Sequence, residues 1–261
     1  MVDVKETALS VAGCKVGMMR AGRGAPLLFL HGARGAPRWM PFMTKLAERF
    51  DVIVPEHPGF GRSETPEWLD TIGDLAFFYL DFIERLELER VHLVGNSLGG
   101  WIAAELAVRS THDLATLTLV SPAGIHVKGQ PKGDIFMWSR EQLTRNLFVD
   151  PAIAEIALAA PVSEAEQDQM LKNSLMTAKL AWQPRLYDPH LAKWLHRIDV
   201  PTLVLWGDGD KLIPPAYGPA FRDLIPGARL EVFERCGHLP HVEHADKFVR
   251  AVTSFIEGSR S

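Results

Sequence analysis

The sequence predicts an α/β fold in which a mostly parallel central sheet is flanked by helices. Short apolar runs rich in β-forming residues alternate with segments of helical periodicity along most of the 261 residues. This alternation is typical of parallel sheets that are covered on both faces. The alternation is interrupted once, between residues 122 and 198, where only helical patterns occur. The interruption predicts a helical cap inserted after the sixth strand.

The strands and the core helices follow one another in a regular order. Two N-terminal segments, VKETALSV and CKVGMMR, are separated by Ala-Gly and predict an antiparallel hairpin. Six further runs predict strands: PLLFL (26–30), DVIVP (51–55), VHLVG (91–95), LATLTLV (114–120), PTLVLW (201–206) and RLEVF (229–233). Helical spacing predicts helices over about 40–49, 67–87, 98–110, 215–225 and 242–257.

The interrupting segment carries four helical patterns of its own. Each pattern has Ser, Asp-Pro or Asp near its start, as helix N-termini prefer. The patterns are SREQLTRNLFV, PAIAEIALAA, SEAEQDQMLKNSLMTAKLAW and DPHLAKWLHRI. We therefore expect residues 1–122 and 199–261 to form the core domain and residues 123–198 to form the cap.

Composition and charge favour a small-molecule partner. The formal net charge is −4, and no block of like charges occurs, which disfavours a nucleic acid or an acidic membrane as the partner. The two cysteines, Cys14 and Cys236, have no metal-like spacing and are expected to be free thiols. The start of the chain lacks the apolar core of a signal peptide, so the cytoplasm is the expected location. The sequence does not determine the oligomeric state, and a homodimer is possible.

The stretch LVGNSLGG (93–100) places Ser97 between Gly95 and Gly99, after a predicted strand and before a predicted helix. A glycine-rich turn that only connects the two elements would explain the glycines alone. The strand-turn-helix context is also that of a nucleophile elbow, in which a sharp turn exposes a serine hydroxyl. A serine hydroxyl needs a base to take its proton. The elbow interpretation therefore requires a histidine and a carboxylate farther along the chain.

Both requirements are met at loops that follow later strands. Asp208 and Asp210 follow the strand PTLVLW, and His238 follows the last predicted strand. The order Ser, Asp, His along the chain is that of one class of triad hydrolases. His238 could also be an ordinary loop histidine, and with His241 and His244 it could suggest a metal site. A loop and one helical turn seldom direct three such ligands at one ion, so we expect no metal and no cofactor.

A third loop, His31-Gly32-Ala33-Arg34-Gly35, follows the strand PLLFL at the same edge of the sheet. A backbone N–H group of this loop can face the serine beside the N–H of Leu98. Two such donors could bind the oxyanion that forms when a carbonyl is attacked.

Five motifs together make the chain from about residue 26 to 257 resemble an α/β-hydrolase-fold serine hydrolase of the carboxylesterase and meta-cleavage hydrolase branch. In order they are HG (31–32), PGFGRS (58–63), GNSLGG (95–100), WGDGDKLIP (206–214) and CGHLP (236–240). The resemblance implies that Ser97 is the nucleophile, His238 the general base and acid, and Asp210 the carboxylate that orients it. It also implies that the N–H groups of Ala33 and Leu98 form the oxyanion hole.

The sequence indicates the substrate-binding residues less clearly than the catalytic residues. Arg34 could hold a substrate carboxylate by a bidentate pair, or it could form a salt bridge between cap and core. The cap is rich in large apolar side chains, among them Trp138 and Trp182, which suit an apolar pocket. We therefore expect hydrolysis of a carboxylic ester of a small to medium, fairly apolar substrate.

Two alternatives remain. The first is C–C bond hydrolysis of a ring-cleavage dienoate, although Leu239 stands where such enzymes often have tryptophan after the histidine. The second is a small-ligand receptor on the same fold that has little or no catalytic activity.

Overall fold

A computed structural model of the chain, which describes residues 2–259, contains an eight-stranded sheet. Its strands are β1 (Lys5–Val11), β2 (Cys14–Gly22), β3 (Pro26–Leu30), β4 (Asp51–Pro55), β5 (Val91–Asn96), β6 (Leu114–Val120), β7 (Thr202–Gly207) and β8 (Arg229–Phe233). The spatial order is β1-β2-β4-β3-β5-β6-β7-β8. Strand β2 is antiparallel to both of its neighbours, and the remaining pairs are parallel. The predicted fold class is confirmed.

Helices cover both faces of this sheet, with a hydrophobic core on each side. The core helices are α1 (Pro41–Ala47), α2 (Ile72–Arg85), α3 (Leu98–Arg109), α8 (Tyr217–Leu224), α9 (Pro240–Glu243) and α10 (Ala245–Gly258). Helix α2 begins later than its periodicity suggested because Thr71 caps it. The Thr71 hydroxyl accepts a bond from the Asp74 N–H at 3.1 Å, and the Asp74 carboxylate accepts one from the Thr71 N–H at 2.7 Å.

The connection between β6 and β7 is helical over most of its length. It contains α4 (Arg140–Leu147), α5 (Pro151–Ala159), α6 (Glu164–Ala181), α7 (Leu191–Trp194) and a 3₁₀ turn (Leu195–Arg197). The side chains of Ser139, Asp150 and Ser163 cap the first three of these helices. The fourth predicted helix is much shorter than its pattern, because the chain tightens into the 3₁₀ turn. We call residues 123–198 the insertion; that they form a separate domain remains a prediction.

The structure also bears on the two cysteines and on membrane-spanning helices. Cys14 and Cys236 are both buried and both free. Burial raises the pKa of the Cys14 thiol to about 11, so this thiol stays protonated at neutral pH. Within residues 2–259, no helix combines the length and the apolar character that are needed to cross a membrane.

Two stacked histidines anchor the loop that follows β3. The rings of His31 and His57 lie 3.7 Å apart between centroids, and both side chains are buried. The His31 Nε2 accepts a bond from the His57 backbone N–H at 3.1 Å, so its Nδ1 carries the hydrogen and donates to the Gly32 carbonyl. The His57 Nε2 donates to the His31 carbonyl at 2.8 Å, and its Nδ1 accepts from the Tyr79 hydroxyl. All four ring nitrogens therefore form a hydrogen bond while both imidazoles are neutral.

This network predicts a loss of stability in mild acid. Burial lowers the pKa of His31 to about 4, and burial, followed by repulsion from His31, lowers the pKa of His57 well below its usual value. Above a pH of about 6.5, the usual histidine pKa, both rings are neutral whether the chain is folded or unfolded. As the pH falls from about 6.5 towards about 4, the unfolded chain takes up protons that the folded chain does not. The free energy of unfolding should therefore fall over this window.

Urea unfolding at a series of pH values between about 7.5 and about 5 measures this effect. The variant His57→Gln removes one buried titrating group and should show a weaker pH dependence than the wild type. The variant His112→Gln changes an exposed histidine and should keep the wild-type dependence. A wild-type free energy of unfolding that stays constant over this range would contradict the prediction.

Candidate active site

Ser97 lies in a sharp turn between β5 and α3, with φ of 55° and ψ of −112°. Steric crowding explains why the two residues that flank the turn, Gly95 and Gly99, are glycines. A Cβ atom on Gly95 would overlap the Gly99 carbonyl, and one on Gly99 would overlap the carbonyl oxygen of Leu30 in β3. The backbones are therefore too close for any side chain at either position. This crowding holds Ser97 in the left-handed region, which non-glycine residues rarely adopt and which is common at functional sites.

His238 and Asp210 form a buried pair. The distance between the His238 Nδ1 and the Asp210 Oδ2 is 2.7 Å, and the two residues are 2% and 4% exposed. The other Asp210 oxygen accepts bonds from the backbone N–H groups of Leu212 and Ile213, each at 2.9 Å. The carboxylate therefore cannot rotate freely, and it fixes the imidazole with its Nε2 as the nitrogen available to a reactant.

Asp208, the other carboxylate of the same loop, does not contact His238. It is exposed, and its Oδ1 accepts a bond from the Cys236 backbone N–H at 3.2 Å. The structure thus brings Asp210 to the histidine and directs Asp208 to the base of the histidine loop.

A cavity of about 500 Å³ joins Ser97 and His238, both of which line it. The His238 Nε2 is buried and forms no hydrogen bond with any group in residues 2–259. Hydrogen bonds between a nucleophile and its base are often long in free enzymes and shorten when a substrate binds. Most of the wall is apolar, with Leu143, Leu147, Ile153, Ile156, Met170 and Val242 among its residues.

The two predicted oxyanion donors, Ala33 and Leu98, line the same cavity. Leu98 is the first residue of α3, where backbone N–H groups have no partner inside the helix. Neither N–H donates a hydrogen bond to another group of the described chain. The loop that carries Ala33 lies close to the serine, since a Cβ on Gly32 would lie 3.3 Å from the Ser97 Cβ. Both N–H groups therefore lack a protein partner among residues 2–259, and that they form an oxyanion hole remains a prediction.

Helix α6 of the insertion is attached to this loop through Asn173. The buried Asn173 amide donates to the Arg34 carbonyl at 3.0 Å, and its oxygen accepts from the Gly61 N–H at 2.8 Å. Arg34 directly follows Ala33. The position of the Ala33 N–H therefore depends on a side chain of the insertion.

The end of α4 and the segment that follows it are attached to the histidine loop. The Leu147 carbonyl accepts a bond from the His238 N–H at 2.8 Å. The Glu243 carboxylate accepts bonds from the backbone N–H groups of 149–150 at 2.8 and 2.7 Å and from the Gly237 N–H at 2.6 Å. The insertion therefore contacts both loops that flank Ser97.

Arg34 lines the cavity together with a second arginine, Arg140. Its Nη1 lies 3.5 Å from the hydroxyl of Thr144 in α4. Burial within the molecule, and then repulsion from Arg140, lower the pKa of its guanidinium. The side chain nevertheless stays accessible to water, because the cavity opens onto it. No carboxylate of residues 2–259 forms an ion pair with Arg34, so the alternative of a salt bridge between cap and core does not apply.

The structure does not place Trp138 or Trp182 at this cavity. Trp182 is 44% exposed, and its ring packs against Phe136 and under the Arg185 guanidinium. The Trp138 ring lies against Gly133. The cavity at Ser97 therefore does not support the expectation that these two rings line the substrate pocket, and that expectation stays a prediction. Helical periodicity marks large apolar residues, but it cannot tell which of them pack within the insertion itself.

The three histidines of the last loop make separate contacts. His238 pairs with Asp210, and the His244 Nε2 donates to the Arg235 carbonyl at 3.0 Å. His241 packs between the rings of Phe29, Phe42 and Phe248. Burial, and then repulsion from His238, lower the pKa of His241 to about 3, so this ring is neutral at physiological pH.

Sequence reasoning missed two residues of this region, Arg140 and Asn173. Arg140 had a weak signal, the lack of an acidic residue one turn along its helix. Arg145 of the same helix has Glu141 at that spacing and pairs with it, whereas the residue at that spacing from Arg140 is Thr144. Asn173 had no signal, because its partners lie more than 100 residues away in the chain.

Comparison with known proteins agrees with this fold. Residues 25–245 match the model of the α/β hydrolase fold family. The chain is 28% identical to 2-hydroxymuconate semialdehyde hydrolase of Pseudomonas sp. (strain CF600), and the match covers 94% of this chain and 91% of that protein. It is 30% identical to the dihydrolipoyllysine-residue acetyltransferase component of the acetoin cleaving system of Cupriavidus necator. That match covers 91% of this chain but only 65% of the longer relative.

A solved structure agrees as well. The crystal structure of a membrane phospholipase A, described as a bacterial virulence factor, superposes with a TM-score of 0.83 at 27% identity. The superposition covers 99% of this chain and 87% of the other. The family match spans most of the sequence, and the sheet and helices described above fit it. The chain therefore belongs to the α/β-hydrolase family.

Proposed function

We propose that this protein is a serine hydrolase that cleaves carboxylic esters through an acyl-enzyme, with Ser97 as the nucleophile. The observation that carries the proposal is the buried pair of His238 and Asp210: the His238 Nε2 has no hydrogen-bond partner among residues 2–259, and His238 lines the same cavity as Ser97. A histidine held in this way by a carboxylate is the base that a serine hydroxyl needs. The apolar wall of the cavity suits an ester of a small to medium, fairly apolar substrate.

The first half of the reaction forms the acyl-enzyme. The Ser97 Oγ attacks the ester carbonyl carbon while the His238 Nε2 takes the hydroxyl proton. The carbonyl oxygen becomes an oxyanion, which the N–H groups of Ala33 and Leu98 bind. The Asp210 carboxylate stabilises the imidazolium that forms. When the C–O bond breaks, His238 gives its proton to the departing alkoxide, and the alcohol leaves.

The second half returns the enzyme to its starting state. A water molecule gives a proton to the His238 Nε2 and attacks the acyl carbon, and the same two N–H groups bind the second oxyanion. The bond between the acyl carbon and the Ser97 Oγ breaks, and Ser97 recovers its proton from His238. The products are one carboxylic acid and one alcohol, and no other reactant is required.

Hydrolysis of a C–C bond in a ring-cleavage dienoate is the second candidate. The relative named 2-hydroxymuconate semialdehyde hydrolase, which matches nearly the whole chain, favours it. Leu239 after the histidine, where such enzymes often have tryptophan, counts against it. A panel of p-nitrophenyl esters of increasing chain length, assayed beside a ring-cleavage dienoate, separates the two activities. Turnover of the dienoate without turnover of the esters would replace the first proposal by the second.

The choice of carboxylate gives a matched pair of variants. Asp210→Asn should keep the fold but lower kcat by about 10⁴-fold, because the imidazole loses the partner that orients and stabilises it. Asp208→Asn, two residues away, should change kcat little, because the Asp208 carboxylate accepts a bond from the Cys236 backbone N–H and forms none with His238 within residues 2–259. Steady-state kinetics on one ester compares them. Equal losses, or the reverse order, would show that the wrong carboxylate was chosen.

Labelling by an organophosphonate tests the nucleophile directly. Only a serine with a base and an oxyanion hole attacks such a phosphorus centre rapidly, so the wild type should be labelled at Ser97 with one group per chain. Labelling should vanish in Ser97→Ala and fall steeply in His238→Ala, with circular dichroism showing that both variants fold. A wild-type chain that resists the reagent and hydrolyses neither esters nor dienoates would favour the small-ligand receptor.

A further inference from the structure

The cavity at Ser97 carries more positive charge than its surroundings neutralise. Three arginines line it, Arg34, Arg38 and Arg140, together with one carboxylate, that of Glu166. The Glu166 carboxylate accepts bonds from the Ser163 backbone and hydroxyl at 2.9 and 2.8 Å. These bonds, and then attraction to Arg38, lower the pKa of Glu166. Among the described residues that line the cavity, no second carboxylate is present to neutralise Arg34 and Arg140.

Arg34 and Arg140 line the same cavity, and Thr144 lies between them: its hydroxyl is 3.5 Å from the Arg34 Nη1 and donates to the Arg140 carbonyl at 2.8 Å. Repulsion from Arg140 also lowers the pKa of Arg34, after the larger effect of burial. Neither residue forms an ion pair with a carboxylate among residues 2–259, whereas Arg145, on the same helix as Arg140, pairs with Glu141 and Glu155. Two like charges that share one cavity wall are unfavourable unless solvent or an anion separates them. A planar guanidinium is also the side chain best suited to bind carboxylate or phosphate oxygens in pairs.

The position of the two arginines relates them to the proposed reaction. Arg34 directly follows Ala33, one of the two proposed oxyanion donors. Arg140 begins α4, and Leu147 at the other end of this helix accepts the bond from the His238 N–H. Seven residues at 1.5 Å each separate the two ends by about 10 Å along the helix axis. Arg34 is thus next in sequence to a proposed oxyanion donor, and Arg140 is one helix length from the residue that bonds to the His238 N–H.

We infer that the natural substrate is an ester that carries an anionic oxygen group, a carboxylate or a phosphoryl group, and that Arg34 and Arg140 bind this group. The inference rests on the proposed ester hydrolysis and specifies its substrate class. The Thr144 hydroxyl, which donates to the Arg140 carbonyl at 2.8 Å and lies next to Arg34, completes the polar patch. The apolar part of the cavity would hold the remainder of the substrate.

The test compares p-nitrophenyl half-esters of dicarboxylic acids with the neutral methyl-capped diesters of the same length. The measured quantity is the ratio of kcat/KM for the anionic ester to that for the neutral ester. This ratio should exceed one in the wild type and should fall by about 10- to 100-fold in Arg34→Gln and in Arg140→Gln, the range expected for a lost charged hydrogen bond. It should also fall as salt is added.

Arg145→Gln is the matched control. Arg145 lies on the same helix but outside the cavity, and its acidic partners are on the protein surface. This variant should keep the wild-type ratio. Arg34→Lys should recover part of the ratio, because the charge remains while the paired geometry is lost. A parallel series with a phosphonate in place of the free carboxylate shows which anion the site prefers.

Two outcomes would overturn the inference: a wild-type preference for the neutral diesters, or a ratio that neither arginine variant changes. If the wild type hydrolyses no ester of either kind, the proposed function fails, and binding then decides the inference. Calorimetric titration with a dicarboxylic acid monoamide should show binding to the wild type and at least tenfold weaker binding to Arg34→Gln. Equal affinities, or no binding to the wild type, would exclude the anion site independently of catalysis.

Discussion

The crowding of three backbones around the elbow of residues 95–99 constrains everything else at the candidate site. Strand β5, helix α3 and the end of β3 approach so closely that Gly95 and Gly99 have no room for a Cβ atom. The chain can make this turn only if Ser97 adopts a positive φ. The same turn leaves the first N–H of α3 unpaired beside the serine. One steric constraint therefore presents both the proposed nucleophile and one proposed oxyanion donor.

The histidines near this elbow fall into two chemical groups. His31, His57 and His241 are buried without a carboxylate, and desolvation lowers the pKa of each of them. These three are neutral structural groups that fix loops and fill the core. His238 alone among the four has a carboxylate partner, which Leu212 and Ile213 in turn hold. The imidazolium that the proposed mechanism requires would therefore be stabilised at His238 and at none of the other three.

Much of the fold could be predicted from the sequence, because alternating short strands and amphipathic helices are local patterns. The elbow and the two loops were also predictable, since each follows a recognisable strand and carries its polar residue at a short, defined spacing. The family resemblance favoured Asp210 over Asp208, and the hydrogen bond between Asp210 and His238 agrees with that choice. Local patterns could not identify the cavity wall, because it forms between distant segments. The composition of the insertion therefore favoured Trp138 and Trp182 as pocket residues, which do not line this cavity, whereas Arg140 and Asn173, which do, were missed.

The acyl-enzyme is the most direct test of the central proposal, that the elbow makes Ser97 a nucleophile. The protein would be mixed rapidly with p-nitrophenyl acetate, quenched in acid within the first turnover and examined by intact-mass and peptide mass spectrometry. The account predicts a burst of one p-nitrophenol per chain and one acetyl group on Ser97. Ester turnover without any covalent intermediate, or an acetyl group on another residue in the burst, would contradict it.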